Sequence, residues 1–549
     1  MKKTILALAA ALLATPASPN TLIDNVNGIQ VDPNGALVRF RALLIDDNGK
    51  VIRTIGANEL DDLDVRRRID EHGQTLLPGF VDAHGHVMEL GRDALQLDLV
   101  GTRSLAELQQ RLGDYAAAHP EAKWILGAGW NQELWPDKKF PTAAELDSIV
   151  PDRPVVLERV DGHALVANSA AMRGAGVTPQ TPAPVGGEIT DGVFVDNAKA
   201  LINQAIPAPT QADMDQAFAK AQDILLGFGV TGVGSMSTSL DDWNTFRRAG
   251  DAGTLKVRLM VYLLGLDPLK VVPHPTPWLY DDRLRAVGVK FFADGALGSR
   301  GAWLKQPYSD APGTTGNRLH SDADLRSQED AAAAAGFQLA THAIGDAANA
   351  QVISAYEWLD SKYGLNRRWR IEHAQVVDCT DLLRIGRGHM IASMQPTHQT
   401  SDRLMAEKRL GLGRLKCAYA WQSMLRTGAK LAFGTDFPVE SPNPFPGLSA
   451  AISRQDINGQ PAGGWLPAER LTFEQALGAY TRGAAYAGFA EDKIGALEPG
   501  RWADFIIVDR DPTKDERQSL ARAQVIETWI AGKRVWSRAP SASPTERGQ

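Results

Sequence analysis

Short apolar runs alternate with helical patterns of hydrophobic residues through most of the chain. Such runs, with few charges, are typical of buried strands. Helical spacing separates several of them, as in residues 327–335 and 347–363. There are eight runs, and they cover residues 79–83, 230–235, 257–264, 287–293, 338–342, 370–373, 391–395 and 430–435. Eight buried strands alternating with helices predict an α/β fold, a (β/α)8 barrel of the TIM type, over residues 78–489.

One stretch breaks this alternation. Well over a hundred residues separate the first two runs, and they contain strand-like segments of their own, such as 124–131 and 154–160. A structureless connection of that length is rare in a compact domain, so we expect an inserted subdomain at about residues 103–203. Because it follows the first strand, it would lean over the catalytic mouth of the barrel and could supply substrate contacts.

Both ends of the chain show short alternating apolar segments separated by turn residues. This pattern covers residues 21–77 and 490–537 and predicts strands of an antiparallel kind. Neither end has enough strands to bury a core by itself. We therefore expect one small β-sandwich assembled from both termini.

The first residues have a different character. Met1, Lys2 and Lys3 precede an apolar run from Ile5 to Ala14, and small residues follow up to Ser18. This order predicts a secretory signal peptide at residues 1–18, and the run is too short to span a bilayer. The protein would then be exported, either periplasmic or secreted, with no membrane attachment after cleavage. An apolar N-terminal helix of the fold is the alternative.

Composition narrows the class of partner. Of the 549 residues, 44% are apolar and 22% are charged, which is typical of a well-cored globular protein. A net charge of −7 gives no reason to expect nucleic acid or an anionic membrane as a partner. A small-molecule substrate is the default expectation, and a homo-oligomer stays open. Cys379 and Cys417 could pair in an oxidising compartment or remain buried thiols.

Candidate chemistry begins at the end of the first apolar run. His84 and His86 are two residues apart, so on a strand both imidazoles point to the same face and could meet at a metal ion. Paired histidines are also common in loops and in hydrogen-bonded cores. The ends of later strands favour a metal site over a structural role for these histidines, because catalytic residues of a barrel lie at the carboxyl ends of its strands. These ends carry Lys290, His342, His373 and Asp436. Together the six residues would offer nitrogen and oxygen ligands for two metal ions.

Several motifs that surround these residues resemble those of the amidohydrolase superfamily, and more narrowly its N-substituted formamide deformylase-like branch. The resemblance covers nearly the whole mature chain. It rests on PGFVDAHGH at 78–86, VKFFADGALGSR at 289–300, THAIGD at 341–346, RIEHAQ at 370–375, GTDFPV at 434–439 and LEPGRWAD at 497–504.

The resemblance implies a binuclear metal centre. His84 and His86 would hold the more buried ion with Asp436, while His342 and His373 would hold the second. Lys290 would bridge the two ions as a carbamate formed with carbon dioxide, since an ammonium is no metal ligand. Zinc suits this histidine-rich set, although manganese or iron could also bind. A structural lysine paired with Asp294 is the alternative for Lys290.

The implied reaction is hydrolysis of an amide-type C–N bond, in an N-formyl, N-acyl or cyclic amide compound, by metal-activated water. Asp436 would act as general base and then as general acid toward the leaving nitrogen. Three alternatives remain: a single-metal deaminase, an ester or lactone hydrolase of the same fold, and an exported ligand-binding protein without catalysis.

Four further residues are candidates for substrate contact, each with a structural alternative. They are His163 in the insertion, His398 after the seventh strand, Arg300, and Trp130. The histidines could be hydrogen-bonded structural residues and the arginine could serve packing. A buried core position is the commoner place for the tryptophan.

Overall fold

The computed structural model describes residues 21–56, 59, 63, 65–160, 164–184, 187–514 and 517–539. The expected signal peptide at residues 1–18 and His163 lie outside these described residues. Within the described ranges, no helix combines the length and the apolar composition needed to cross a bilayer.

Eight parallel strands form the centre of the molecule, which confirms the predicted barrel. Each strand pairs with the next along the chain. The ring closes where the last strand meets the first: the amide of Asp436 donates to the carbonyl of His84, and the amide of His86 to the carbonyl of Phe437, both at 2.8 Å. The strands are β1 (Phe80–Gly85), β2 (Val230–Thr238), β3 (Arg258–Leu264), β4 (Leu284–Phe292), β5 (Gln338–Ala343), β6 (Arg370–His373), β7 (Ile391–Met394) and β8 (Lys430–Phe433).

Helices surround the barrel and bury apolar side chains against its strands. Several begin at a capping hydroxyl: Thr210, Ser239 and Ser321 each accept a bond from the amide three residues on. Such a cap contributes about 1 kcal/mol. The helices after β1 are Val87–Asp93, Gln211–Gly227, Leu240–Asp251, Asp322–Ala334, Asp346–Tyr363, Leu382–Arg387, Pro396–Leu410, Trp421–Arg426, Pro444–Ser453, Phe473–Gly478 and Ala484–Ala487, with a π-helical turn at Ala479–Gly483 and 3-10 turns at Leu412–Arg414 and Pro467–Glu469.

The alternation is incomplete between β3 and β4. Only a 3-10 turn, Asp267–Lys270, lies there in place of a helix. This segment contains four prolines within ten residues, from Pro268 to Pro277. Proline removes a backbone donor and clashes with the preceding turn, so a regular helix cannot form.

The segment between β1 and β2 builds its own mixed sheet, as expected for an insertion. The sheet already begins at Leu97, a few residues earlier than residue 103. Its core is a separate apolar cluster that includes Leu108, Ile125 and Leu157. The strands are Leu97–Asp98, Ile125–Trp130, Val155–Arg159, Ala164–Ala167, Gly187–Thr190 and Val193–Asp196, and the helices are Leu105–Ala118, Ala143–Asp147, Ser169–Gly174 and Ala200–Asn203, with 3-10 turns at Gln132–Leu134 and Asn197–Lys199.

Two further sheets form the predicted sandwich. One is built from the N-terminal strands Val51–Ile55, Ala42–Ile45, Thr21–Asp24 and Arg67–Asp70, in that order. The other joins both termini in the order Lys533–Ser537, Val525–Ile530, Phe505–Val508, Thr75–Pro78, Asn27–Val31 and Leu37–Phe40, with helix Arg517–Leu520 between two of its strands. Ile23, Leu43 and Phe505 lie in one shared apolar cluster, so both termini contribute to the same core.

A buried ion pair links the sandwich to the barrel. Arg258, at the start of β3, donates to both carboxylate oxygens of Asp504 at 2.6 and 3.0 Å. Asp504 also accepts from the amide of Ala531 at 2.8 Å. Breaking such a pair would leave a buried charge uncompensated, at a cost of about 3–5 kcal/mol.

Candidate metal centre

His84 and His86 project from the end of β1 toward one carboxylate oxygen. Oδ1 of Asp436 lies 3.4 Å from Nε2 of His84 and 3.2 Å from Nε2 of His86. The histidine rings are 5.5 Å apart. The strand geometry expected from the i, i+2 spacing is therefore present, and β8 supplies the third group.

Asp436 stands between two pairs of histidines. Its Oδ2 atom faces the other pair, 3.8 Å from Nδ1 of His373 and 3.6 Å from Nε2 of His398. Burial by itself raises the pKa of Asp436, but the surrounding imidazoles, His84 first, hold that pKa well below its usual range. The residue has a φ of +60°, and His373 one of +74°, so the backbone is strained at both strand ends.

A buried network holds His84. Its Nδ1 lies 2.6 Å from Oε2 of Glu372 on β6, and neither side chain is exposed. Arg370 donates to both oxygens of Glu372, at 2.7 and 3.1 Å. Burial raises the pKa of Glu372, but Arg370, His84 and Lys290 together outweigh burial and lower the pKa, so the carboxylate stays ionised. Nε2 of His84 is left facing Asp436.

Lys290 reaches the same place from β4. Its Nζ lies 3.4 Å from Nε2 of His84, and the residue is 1% exposed. Burial lowers the pKa of Lys290 to about 8. The alternative partner Asp294 instead accepts bonds from the amides of Trp303, Ile344 and Gly345.

His342 at the end of β5 completes the set. Its ring centre is 4.6 Å from that of His373, and its Nε2 lies 3.5 Å from Oδ1 of Asp294. Burial lowers the pKa of His342 to about 3 and that of His84 to about 4. Neutral imidazoles offer the lone pairs that a metal requires. All six residues expected at the strand ends thus lie around one point of the barrel mouth.

Two observations test whether these side chains fit a metal ion. Two groups of three have all their ligand atoms within 4.8 Å of one another: His84, His86 and Asp436, and His373, His398 and Asp436. In addition, Oδ1 of Asp436 is buried and has no hydrogen-bond partner within the described part of the chain. A buried unpaired carboxylate oxygen is costly unless a cation satisfies it. His84, His86 and Asp436 therefore fit a divalent cation.

The four candidates for substrate contact have different positions. His398 lies in the site. Arg300 lies in the loop after β4 and donates to Asp310 at 3.0 and 3.2 Å. Trp130 is fully buried in the core of the insertion and donates to the carbonyl of Leu157 at 2.8 Å. Trp130 therefore has a buried core position and does not contact a substrate, because its ring has no exposed surface. His163 is outside the described residues.

The sequence reasoning missed the residues that hold the histidines. Arg370 and Glu372 are charged positions inside an apolar strand, and their i, i+2 spacing was the available signal. Gln375 and Gln395 contact His398 and His373, at 3.1 and 3.0 Å respectively. Nothing in a single sequence distinguishes these two glutamines from other loop amides.

Comparison with known proteins agrees with this geometry. Residues 67–536 match the model of an amidohydrolase family. The chain belongs to this amidohydrolase family. The amidohydrolase chain is 33% identical over 495 residues to the protein LONG AFTER FAR-RED 3 of Arabidopsis thaliana, covering 85% of this chain and 83% of that protein. It is 26% identical to the N-substituted formamide deformylase of Arthrobacter pascens, over 86% of this chain and 90% of the enzyme.

A solved structure shares the architecture of this amidohydrolase. The crystal structure of an uncharacterized metal-dependent hydrolase from Pyrococcus horikoshii OT3 superposes with a TM-score of 0.78 at 30% identity. The match covers 90% of this chain and 99% of the other. The arrangement of barrel, insertion and sandwich is therefore shared over nearly the full length of that hydrolase.

Proposed function

We propose that this amidohydrolase is a metal-dependent enzyme that hydrolyses an amide-type C–N bond of a small molecule, such as an N-formyl, N-acyl or cyclic amide. The observation that carries the proposal is the position of Asp436. One of its oxygens faces His84 and His86, and the other faces His373 and His398. A carboxylate so placed can belong to a metal centre and also reach the reacting water.

His84, His86 and Asp436 would hold one divalent ion, and His342 and His373 a second, with Lys290 between them. Zinc is the expected metal because most donors are imidazole nitrogens. A bound divalent ion polarises a carbonyl group and lowers the pKa of water. Burial lowers the pKa of Lys290 and so raises the fraction of neutral amine, which is the form that adds carbon dioxide and loses a proton to become a carbamate.

Asp436 would move the proton. As the water oxygen bonds to the carbonyl carbon, the carboxylate accepts the water proton. When the C–N bond breaks, the electron pair stays on nitrogen, and Asp436 returns the proton to it. An amide nitrogen leaves poorly unless it is protonated, so this transfer matters more here than in an ester. Similarity to the formamide deformylase supports the choice of an amide over an ester or lactone.

The test is metal analysis combined with a hydrolysis panel. We expect about two zinc ions per chain in the wild type, fewer in Lys290→Ala, and release of aniline from N-formyl- or N-acylanilines. Prolonged chelation should abolish turnover, and added zinc should restore it. Full activity after proven metal removal would contradict the proposal. Deamination, or cleavage of esters and lactones alone, would assign one of the other reactions, and a metal-free, ligand-binding chain would exclude catalysis.

We also propose that the protein acts outside the cytoplasm, in the periplasm or as a secreted enzyme. The secretory pattern at residues 1–18 supports this, together with the disulfide between Cys379 and Cys417, because disulfides persist in oxidising compartments. Fractionation and N-terminal sequencing of the natural protein should find the mature chain in the exported fraction, beginning close to Ser18. An uncleaved chain in the cytoplasm would contradict it.

A further inference from the structure

His398 lies in the first turn of helix Pro396–Leu410, directly after β7. The residue is only 7% exposed, and its Nε2 points to the metal centre, 3.6 Å from Oδ2 of Asp436. This nitrogen is fully buried and has no hydrogen-bond partner among the residues that the structure describes. A buried polar atom without a partner is costly, so His398 is held in this position for a group that arrives from outside.

The other ring nitrogen shows which atom carries the proton. Nε2 of Gln375 lies 3.1 Å from Nδ1 of His398. An amide nitrogen donates and does not accept, so Nδ1 of the imidazole must offer its lone pair. The neutral ring then carries its proton on Nε2. A nitrogen that carries a proton cannot bind a metal, although it can donate a hydrogen bond.

Contacts of its backbone hold Gln375 in place. Its side-chain amide is therefore well placed to donate to Nδ1 of His398. The amide of Tyr419 donates to the carbonyl of Gln375 at 2.6 Å. Val376 forms a bridge with Ala418. The disulfide between the neighbouring Cys379 and Cys417 joins the same two segments, with their Cα atoms 5.5 Å apart. Gln375 is itself 5% exposed.

Other unpartnered polar atoms lie along the same segment. Nε2 of Gln395 and Oγ1 of Thr397 are buried, and neither has a hydrogen-bond partner in the residues described by the structure. Gln395 uses its Oε1 for His373, at 3.0 Å, so its amide N–H groups remain available. The helix that follows has no side-chain cap. The end of β7 therefore carries buried groups that can donate a hydrogen bond, and among them His398 lies beside Asp436.

We propose that His398 donates a hydrogen bond from Nε2 to the reacting carbonyl oxygen of the substrate, and that Gln375 is the positioning residue that sets its tautomer. The inference rests on the proposed hydrolysis of a carbonyl compound. When the water oxygen bonds to the carbonyl carbon, the π-electron pair moves onto the carbonyl oxygen. His398 stabilises that negative charge and keeps its proton. The charge returns to the carbonyl bond when the C–N bond breaks and the nitrogen takes its proton from Asp436.

This role differs from that of a metal ligand in what the loss of the side chain does. Removing one donor to a developing oxyanion costs about 10²–10³ in kcat. The substrate carbonyl carries little charge in the ground state, so KM should change only a few-fold. Loss of a ligand would instead lower the metal content.

The first experiment reads the tautomer directly. We would load the full chain with zinc, label its histidines with 15N, and identify the ring of His398 by the signal that is lost in His398→Gln. We expect the proton on Nε2, and in Gln375→Glu, whose carboxylate accepts from the ring, we expect it on Nδ1. An unprotonated Nε2 in the wild type overturns the inference whether or not the enzyme is active. A protonated Nε2 in a wild type that cleaves no carbonyl compound overturns the proposed function instead.

The second experiment distinguishes a hydrogen-bond donor from a metal ligand at His398. For hydrolysis of an N-formylaniline, His398→Ala should lower kcat by about 10²–10³, with KM within a few-fold and zinc content as in the wild type. Gln375→Glu should lower kcat by a similar factor. The double variant should lose no more than either single variant, because both residues act through the proton on Nε2 of His398. His86→Gln is the control that should lose zinc. Zinc loss in His398→Ala, or a fall in kcat below about ten-fold, would overturn the inference.

Discussion

Oε2 of Glu372 lies 2.6 Å from Nδ1 of His84, and neither side chain has exposed surface. An ionised carboxylate accepts hydrogen bonds only, so Nδ1 carries the proton and Nε2 keeps its lone pair for the site. Arg370 in turn bonds both oxygens of Glu372 and keeps it charged. The orientation of the first candidate ligand is thus set from a strand on the other side of the barrel.

Replacing Glu372 by Gln should weaken metal binding and should also lower stability, because Arg370 loses its buried counter-charge. The amide keeps the shape of the side chain but removes the charge that fixes His84. Loss of such an outer carboxylate typically costs 10–100-fold in metal affinity. Competition between the protein and a zinc chelator would measure it, with the exposed Glu121→Gln as control. Wild-type affinity in Glu372→Gln would show that His84 needs no such support.

Asp436→Asn should abolish turnover while the fold is retained. The amide cannot accept a proton from water, and loss of general acid–base catalysis costs about 10²–10⁴ in rate. Circular dichroism and the melting temperature should remain close to those of the wild type, because the side chain lies after a strand end and its Oδ1 has no hydrogen-bond partner among the described residues. Hydrolysis near the wild-type rate would remove Asp436 from the proton transfer.

Glu329 should make stability depend on pH. The side chain is fully buried beside β5, and Oγ1 of Thr341 donates to it at 2.8 Å. Burial raises the pKa of Glu329 from 4.5 to about 8. The folded state therefore keeps a proton that the unfolded chain releases. Its contribution to stability is complete below pH 4.5 and declines as the pH rises toward 8.

Glu329→Gln cannot ionise and should lack this decline. Between pH 5 and pH 8 the wild type should lose up to about 1.4 kcal/mol per pH unit relative to the variant. Urea unfolding at several pH values would measure the difference, with Glu121→Gln as an exposed control. Parallel stability profiles for the wild type and Glu329→Gln would mean that the carboxyl group is ionised in the folded protein.

The disulfide should contribute to stability and to the position of Gln375. Cys379 and Cys417 are 38 residues apart in sequence, and a cross-link over such a loop stabilises a protein by about 2–4 kcal/mol. Replacing both cysteines by Ser should lower the free energy of unfolding by that amount and lower kcat. Unchanged stability in the double variant, measured against the wild type under the same oxidising conditions, would exclude a structural role for the cross-link.

Much of the fold follows from local pattern. Eight apolar runs separated by helical spacing were sufficient to predict the barrel, because buried parallel strands must be apolar on both faces. The length of the connection between β1 and β2 predicted the insertion. The short alternating apolar segments at both ends of the chain predicted the composite sandwich. The proline-rich residues 268–277 form no regular helix, and the barrel is complete without one between β3 and β4.

By itself, the sequence determined the barrel and the six polar residues at its strand ends, because strand periodicity and the rule that active sites form at carboxyl ends are local and topological. Only the tertiary structure decided which groups support them. Glu372 holds His84 across nearly three hundred residues, Gln375 orients His398, and Trp130 lies in a core away from the site. These contacts are made between residues that are far apart in sequence. Such residues become neighbours only when the strands have assembled into the barrel.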